Sequence, residues 1–207
     1  MGRKPLTTEQ RDAMRARILD AARKQFLKGG LNDLSMRDIA SNVGISAMTI
    51  YLYFRNRQAI VFALIREGLD KLRDEMYRFT EIEDPMERLI RMGEAYVGFA
   101  FENPQYYRAL TETIPHNGRD RDRRAEHAKL LDDVSAMVKP ILQTVGELTG
   151  SRKSREATNE TLVLWCVLHG FVSLAFNDRL RFLRASDDDL RQQLRRMVPR
   201  MLTVRRD

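Results

Sequence analysis

Apolar residues recur at three- and four-residue spacing along almost the whole chain, and that periodicity restricts it to packed helices. No alternating run, hairpin signal or internal repeat competes with it. With 207 residues the chain can bury a real core in one large domain or two small ones. Helix punctuation divides it. Thr7 or Thr8 can cap a run through Met14, Ile18, Ala21, Ala22 and Phe26 that stops at Gly29-Gly30. Ser35 with Asp38 reads as a capping box for Met36–Val43, closed by Gly44. Ser46 and Asn56 head helices over about 47–53 and 57–79. Asp84-Pro85 and Asn103-Pro104 start helices at about 85–102 and 104–113. A seventh covers about 121–148, with Pro140 expected to kink it, and two more cover about 155–178 and 186–204, the last capped by Ser186. The expected fold class is all-α with about nine helices.

Lys and Arg total 36 against 29 Asp and Glu, a net +7. Residues 1–60 hold eleven basic and five acidic side chains; the rest hold 25 and 24. The positive field therefore sits on the first sixty residues and suits a polyanion. A domain boundary is expected near 60, inside the fourth helix and without a flexible linker, giving domains 1–60 and 61–207. The single Cys excludes a disulfide framework and a cysteine zinc site. The opening Met1-Gly2-Arg3-Lys4-Pro5 lacks a signal peptide's apolar core, so a cytoplasmic location is expected.

Residues 35–54 carry the functional signal. Two short helices flank Gly44, with Ile39, Ala40, Val43, Ile45 and Ile50 available to fix their crossing. A Gly-containing turn followed by a second short helix is helix-turn-helix arithmetic. Ser46, Ala47, Met48 and Thr49 at the start of that second helix are small or weakly polar and can approach base edges. Tyr51 and Tyr53 can present hydroxyls to phosphates, and Arg57 stands at the start of the fourth helix, where a phosphate is also welcome. Arg3 and Lys4 can reach the DNA backbone or a minor groove. Two other readings stay open on the residues alone: a sequence-indifferent basic DNA-binding protein, and a small-molecule binding protein or enzyme without DNA function.

Residues 14–64 resemble the DNA-binding domain of the TetR family of transcriptional regulators. The resemblance runs through Ile18-Leu19-Asp20-Ala21-Ala22, Phe26, Gly30, Met36-Arg37-Asp38-Ile39-Ala40, Gly44-Ile45-Ser46, Thr49-Ile50-Tyr51-Leu52-Tyr53-Phe54 and Asn56-Arg57-Gln58-Ala59-Ile60. It implies a homodimer on a palindromic operator, most often as a repressor. It also implies phosphate contacts from Ser35, Tyr51 and Tyr53, a phosphate or base contact from Arg37, and base-facing Ala47, Met48 and Thr49. Two positions depart from the family pattern: Met48 stands where Gly is common, which suggests an apolar contact such as a thymine methyl, and Arg57 stands where Lys is usual.

Residues 162–176 are apolar all round over fifteen residues, against roughly 20 for a membrane span. Burial between the chain's own core and a second subunit is expected, with no membrane partner and with Cys166 a small buried hydrophobe. The Trp165…His169-Gly170 trace resembles the C-terminal domain of one TetR subgroup, which implies dimerisation through about 155–204. Between the fourth and eighth helices a cavity for a small, largely apolar effector is expected. Its candidate ligand residues are Met92, Tyr96, Phe99, Tyr107, Met137, Trp165 and His169, with Met76, Phe79, Tyr106, Val134 and Ile141 as further wall candidates. His116 and His127 are eleven apart around a loop, so no metal site is expected. No Gly-rich phosphate loop, HExxH, nucleophile elbow or triad is present, so no enzymatic activity and no cofactor is expected.

Overall fold

The computed structural model describes residues 7–112, 121–150, 155–176 and 187–203. Arg3, Lys4, His116 and Ser186 lie outside them. Among the described residues the chain forms helices and no strand. The helices are α1 (Thr8–Gly29), α2 (Met36–Val43), α3 (Ala47–Ile50), α4 (Arg57–Tyr77), α5 (Pro85–Glu102), α6 (Pro104–Glu112), α7 (Arg121–Thr149), α8 (Arg155–Phe176) and α9 (Asp187–Thr203), with a 3-10 turn at Leu31–Asp33. Two compact units result: Met1–Gly68 with Gln105–Asp120, and Leu69–Pro104 with Arg121–Asp207.

Side-chain caps set the helix starts. The Thr7 hydroxyl accepts the Gln10 N–H while the Gln10 side chain accepts that of Thr7, a complete capping box. Ser35 caps α2 through the Asp38 N–H, but the reciprocal half is supplied from another helix: the Ser35 N–H goes to Gln25 Oε1 of α1. Asn56 accepts from Ala59 N–H, and Asp84 from Met86 N–H ahead of Pro85. Gly44 ends α2 at φ 78°, ψ 34°, a left-handed conformation that suits glycine.

In the first unit α1 contacts α2 and the 3-10 turn, and α2 contacts α3. Ile18, Ala22, Phe26, Ile39, Ala40, Ile50, Phe54, Ile60 and Leu64 are buried there. Helix α6 adds Tyr106, Tyr107 and Ala109, also buried.

In the second unit α5 is the central element and contacts α7, α8 and α9. Nearly its whole circumference is buried, from Leu89 and Ile90 through Tyr96 and Val97 to Ala100. Its glycines permit that enclosure; a Cβ at Gly93 would stand 3.1 Å from a Leu194 methyl of α9. Buried Glu94 is held by Arg195 of α9 at 2.6 Å and by Arg91 at 3.1 Å. Arg88 ties α5 to α7 through Glu147 at 2.8 Å. Pro140 lies inside α7, which runs on past it as one helix.

Two expectations about α8 need correction. The fifteen-residue apolar run sits in a 22-residue helix that is long and apolar enough to span a bilayer by length and composition. Length therefore does not separate it from a membrane span; its first turns, however, carry Arg155, Glu156, Asn159 and Glu160. Cys166 is exposed rather than buried, because it shares the outward face of α8 with Leu162, Val163 and Leu174. Only 22% of the helix's most apolar window is buried.

Candidate DNA interface and effector cavity

The second helix of the helix-turn-helix is shorter than its apolar spacing suggests. Regular α-helix ends at Ile50. Tyr51, Leu52 and Tyr53 then donate their N–H groups to the carbonyls three residues back, at 3.2, 3.1 and 2.9 Å. This tighter winding carries the chain to Phe54, whose ring is buried and whose N–H returns to the Ile50 carbonyl.

Of the residues expected at DNA, Ser46, Met48, Tyr51, Arg37 and Arg57 are exposed, and Ser35, Ala47, Thr49 and Tyr53 are half-buried. Met48 is 76% exposed and Tyr51 48%, so the reading surface is open to a groove. The hydroxyls of Ser46 and Thr49 are 2.8 Å apart, and Ser46 also caps α3 through the Thr49 N–H. Arg57 turns back onto the protein. Its Nε donates to the Leu34 carbonyl at 3.0 Å and another guanidinium nitrogen to the Leu31 carbonyl. That fork spans two carbonyls, which a lysine ammonium in the same place would not match.

Two further arginines, missed by sequence reasoning, act alike. Arg15 donates to the Tyr53 carbonyl at 2.7 Å with its guanidinium 4.1 Å from the centre of the Phe54 ring, and Arg17 donates to the Val43 carbonyl at 3.0 Å. Both lie on α1 and brace the ends of the two short helices. Their signal in the sequence is only their helical spacing, which a solvated face would share.

The first unit also holds a partly buried polar network. Tyr106 of α6 donates to Glu67 at 2.6 Å, and Glu67 accepts Arg23 Nε at 2.7 Å. The Tyr106 ring stands edge-on to Phe26 with centroids 5.0 Å apart. Burial, with the hydrogen bond and charge of Glu67, pushes the Tyr106 phenol well above the usual tyrosine range. Burial of Arg23 opposes its charge, but Glu67 offsets this and holds the guanidinium more firmly protonated.

The second unit encloses a cavity of about 40 Å³ lined by Met76, Leu89, Met92, Gly93, Tyr96, Ile141, Thr161, Leu164, Trp165, Leu168 and Val198. No charged side chain is among these lining residues. The Thr161 hydroxyl is directed to the Ala157 carbonyl, and the Tyr96 hydroxyl lies 3.4 Å from His169 Nδ1. The Tyr96 and Trp165 rings stand 5.9 Å apart. Of the expected ligand residues, Met92, Tyr96 and Trp165 thus meet at one cavity, with His169 behind Tyr96. Met137 is buried away from this lining, and Phe99 faces a separate groove with Phe79. Tyr107 and the wall candidate Tyr106 belong to the first unit, and Val134 is half-buried outside the lining. Leu89, Leu164, Leu168 and Val198 line the cavity although no distinctive residue type marks them.

Residues 18–64 match the profile of bacterial regulatory proteins of the tetR family, and residues 89–201 match the tetracyclin repressor-like C-terminal domain. The chain belongs to the TetR family. It is a DNA-binding transcriptional regulator with a helix-turn-helix head and a C-terminal ligand-binding domain. The uncharacterised HTH-type transcriptional regulator YobS of Bacillus subtilis is 28% identical over 157 residues, 76% of each chain. A protein of unknown function from Rhodococcus sp. RHA1 has the same fold, with TM-score 0.74 and 22% identity over 90% of this chain and 94% of that one. So does the transcriptional regulator FadR from Bacillus subtilis in complex with stearoyl-CoA, with TM-score 0.64 and 18% identity over 88% and 96%. Within this TetR-family frame, α2 and α3 form the helix-turn-helix, and the cavity lies in the C-terminal domain.

Proposed function

We propose that the chain is a repressor that binds a palindromic operator as a homodimer and releases it when a small, largely apolar molecule enters the second unit. The exposure of Met48 and Tyr51 on a capped helix-turn-helix carries the DNA half of this reading. Ser35, Arg37 and Tyr53 would flank them on the phosphates, and Ala47 and Thr49 would face bases. Action on DNA implies a cytoplasmic site of work.

The uncovered side of α8 supports the dimer. Leu162 is 59% exposed, and Val163 and Leu174 are each 42% exposed. Such an apolar face in a chain that works in water is best covered by its own copy, and two recognition helices then serve two half-sites.

The cavity supports an apolar effector, and its size supports the mechanism. Ligand sites typically enclose roughly 300–1,000 Å³, whereas this one holds about 40 Å³. Occupation therefore requires α5, α7 and α8 to separate around Met92, Tyr96 and Trp165. Met76 of the lining belongs to α4, the helix that also carries Arg57 and Ile60. A ligand that binds only the spread form disfavours DNA by its differential affinity, and DNA disfavours the ligand equally. FadR's stearoyl-CoA carries an acyl chain of the kind this lining would accept.

Selection from random duplexes with the full chain, repeated with fatty acids, acyl-CoAs and aromatic compounds, tests the reading. A palindromic consensus released by one of these classes is expected. Flat sequence preference, or operator affinity unchanged at saturating bound compound, overturns it.

A further inference from the structure

Resting on the DNA-binding reading, we propose that Leu52, together with Met48, reads the C5-methyl groups of thymine in the major groove. Leu52 is 70% exposed and Met48 76%, while Ile50 and Phe54 between and beyond them are sealed in the core. The reading segment thus sorts its apolar side chains, burying two and offering two outward. Met48, Tyr51 and Leu52 are the large apolar side chains of this segment that stand exposed.

The polar alternatives in this segment are weak. Guanine is read most often by Arg or Lys and adenine by Asn or Gln, each through paired hydrogen bonds. Residues 46–53 contain none of these four. The Ser46 and Thr49 hydroxyls bond each other and Ser46 also accepts the Thr49 N–H, which leaves one free O–H donor between them, short of the paired bonds that specify a purine. What remains on the outward side is thioether, isobutyl and phenol. The thymine methyl is the apolar feature of the major-groove edge of a natural base pair, and covering it removes apolar surface from water on both partners.

The test uses the full chain and its selected operator, with each thymine replaced in turn by 2′-deoxyuridine. That change deletes one methyl and leaves every hydrogen-bonding group in place. At one or more thymines of the half-site, uracil should weaken binding about four-fold, the worth of one buried methyl. Leu52→Ala should bind thymine and uracil equally at one of those positions. Because Leu52 is exposed, the variant should melt as the parent does, and its melting curve checks that. Uracil tolerated at every position overturns the proposal, as does a Leu52→Ala protein with undiminished uracil sensitivity. Failure of the selection to yield any operator strikes the regulator reading itself, whereas an operator indifferent to methyl groups strikes only this inference.

Discussion

Arg15, Arg17 and Arg57 each direct a guanidinium at main-chain carbonyls of the head, so part of its positive excess holds the reading helices in place. The Arg23–Glu67–Tyr106 group does the same for α6. Tyr106→Phe removes a short hydrogen bond to a carboxylate and should cost about 2 kcal/mol in urea unfolding. The phenol's titration point is raised in the fold, so its protonated form is favoured there. Its contribution is complete below the unfolded tyrosine value of about 10 and fades as pH rises beyond it. Tyr106→Phe should therefore flatten the alkaline fall of stability measured between pH 9 and 11. An unaltered alkaline limb would exclude this role. At this scale the sequence was legible where a side chain serves its own neighbours, as in Ser46 and Asn56. It was not where the partner lies far along the chain: Gln25 with Ser35 is invisible to local spacing. Leu52 is illegible for a related reason, since an apolar residue in a periodic run reads as core by default. Residue type alone groups Tyr106 and Tyr107 with the effector cavity, and only the contacts separate them from it.

Helix boundaries were the most readable feature, because proline and capping residues act within one turn. Helix α5 runs over Pro85–Glu102 and α2 over Met36–Val43, as Asp84-Pro85 and Gly44 indicate. Helix α3 ends earlier than its apolar spacing indicates, since nothing local in Tyr51-Leu52-Tyr53 distinguishes an α-helical N–H from one that reaches three residues back. The connection at Gly44 sets the angle between the two short helices. A Cβ there would meet nothing within 4 Å, so substitution strains only the backbone. Gly44→Ala should cost about 1 kcal/mol in thermal or urea unfolding, and Gly44→Asn distinctly less, since Asn tolerates the left-handed region. Equal losses from the two would mean that backbone conformation is not the cause.

For the assembled regulator, the outward face of α8 makes the strongest claim. Val163→Glu places a charge among Leu162, Cys166 and Leu174 without touching the core. By sedimentation the parent should be a dimer and the variant a monomer, with operator affinity at least about ten-fold weaker. The slope of log affinity against log salt should fall by about half, because one head neutralises half as many phosphates. A variant with parental mass would remove α8 from the interface. A cavity this small has a different consequence. Under the proposed mechanism, some of an effector's binding free energy would go into prising helices apart, which raises the concentration at which it acts. A switch built this way would ignore fragments that fit the lining but bind feebly, and its sensitivity would be set by how stiffly its own helices resist being parted.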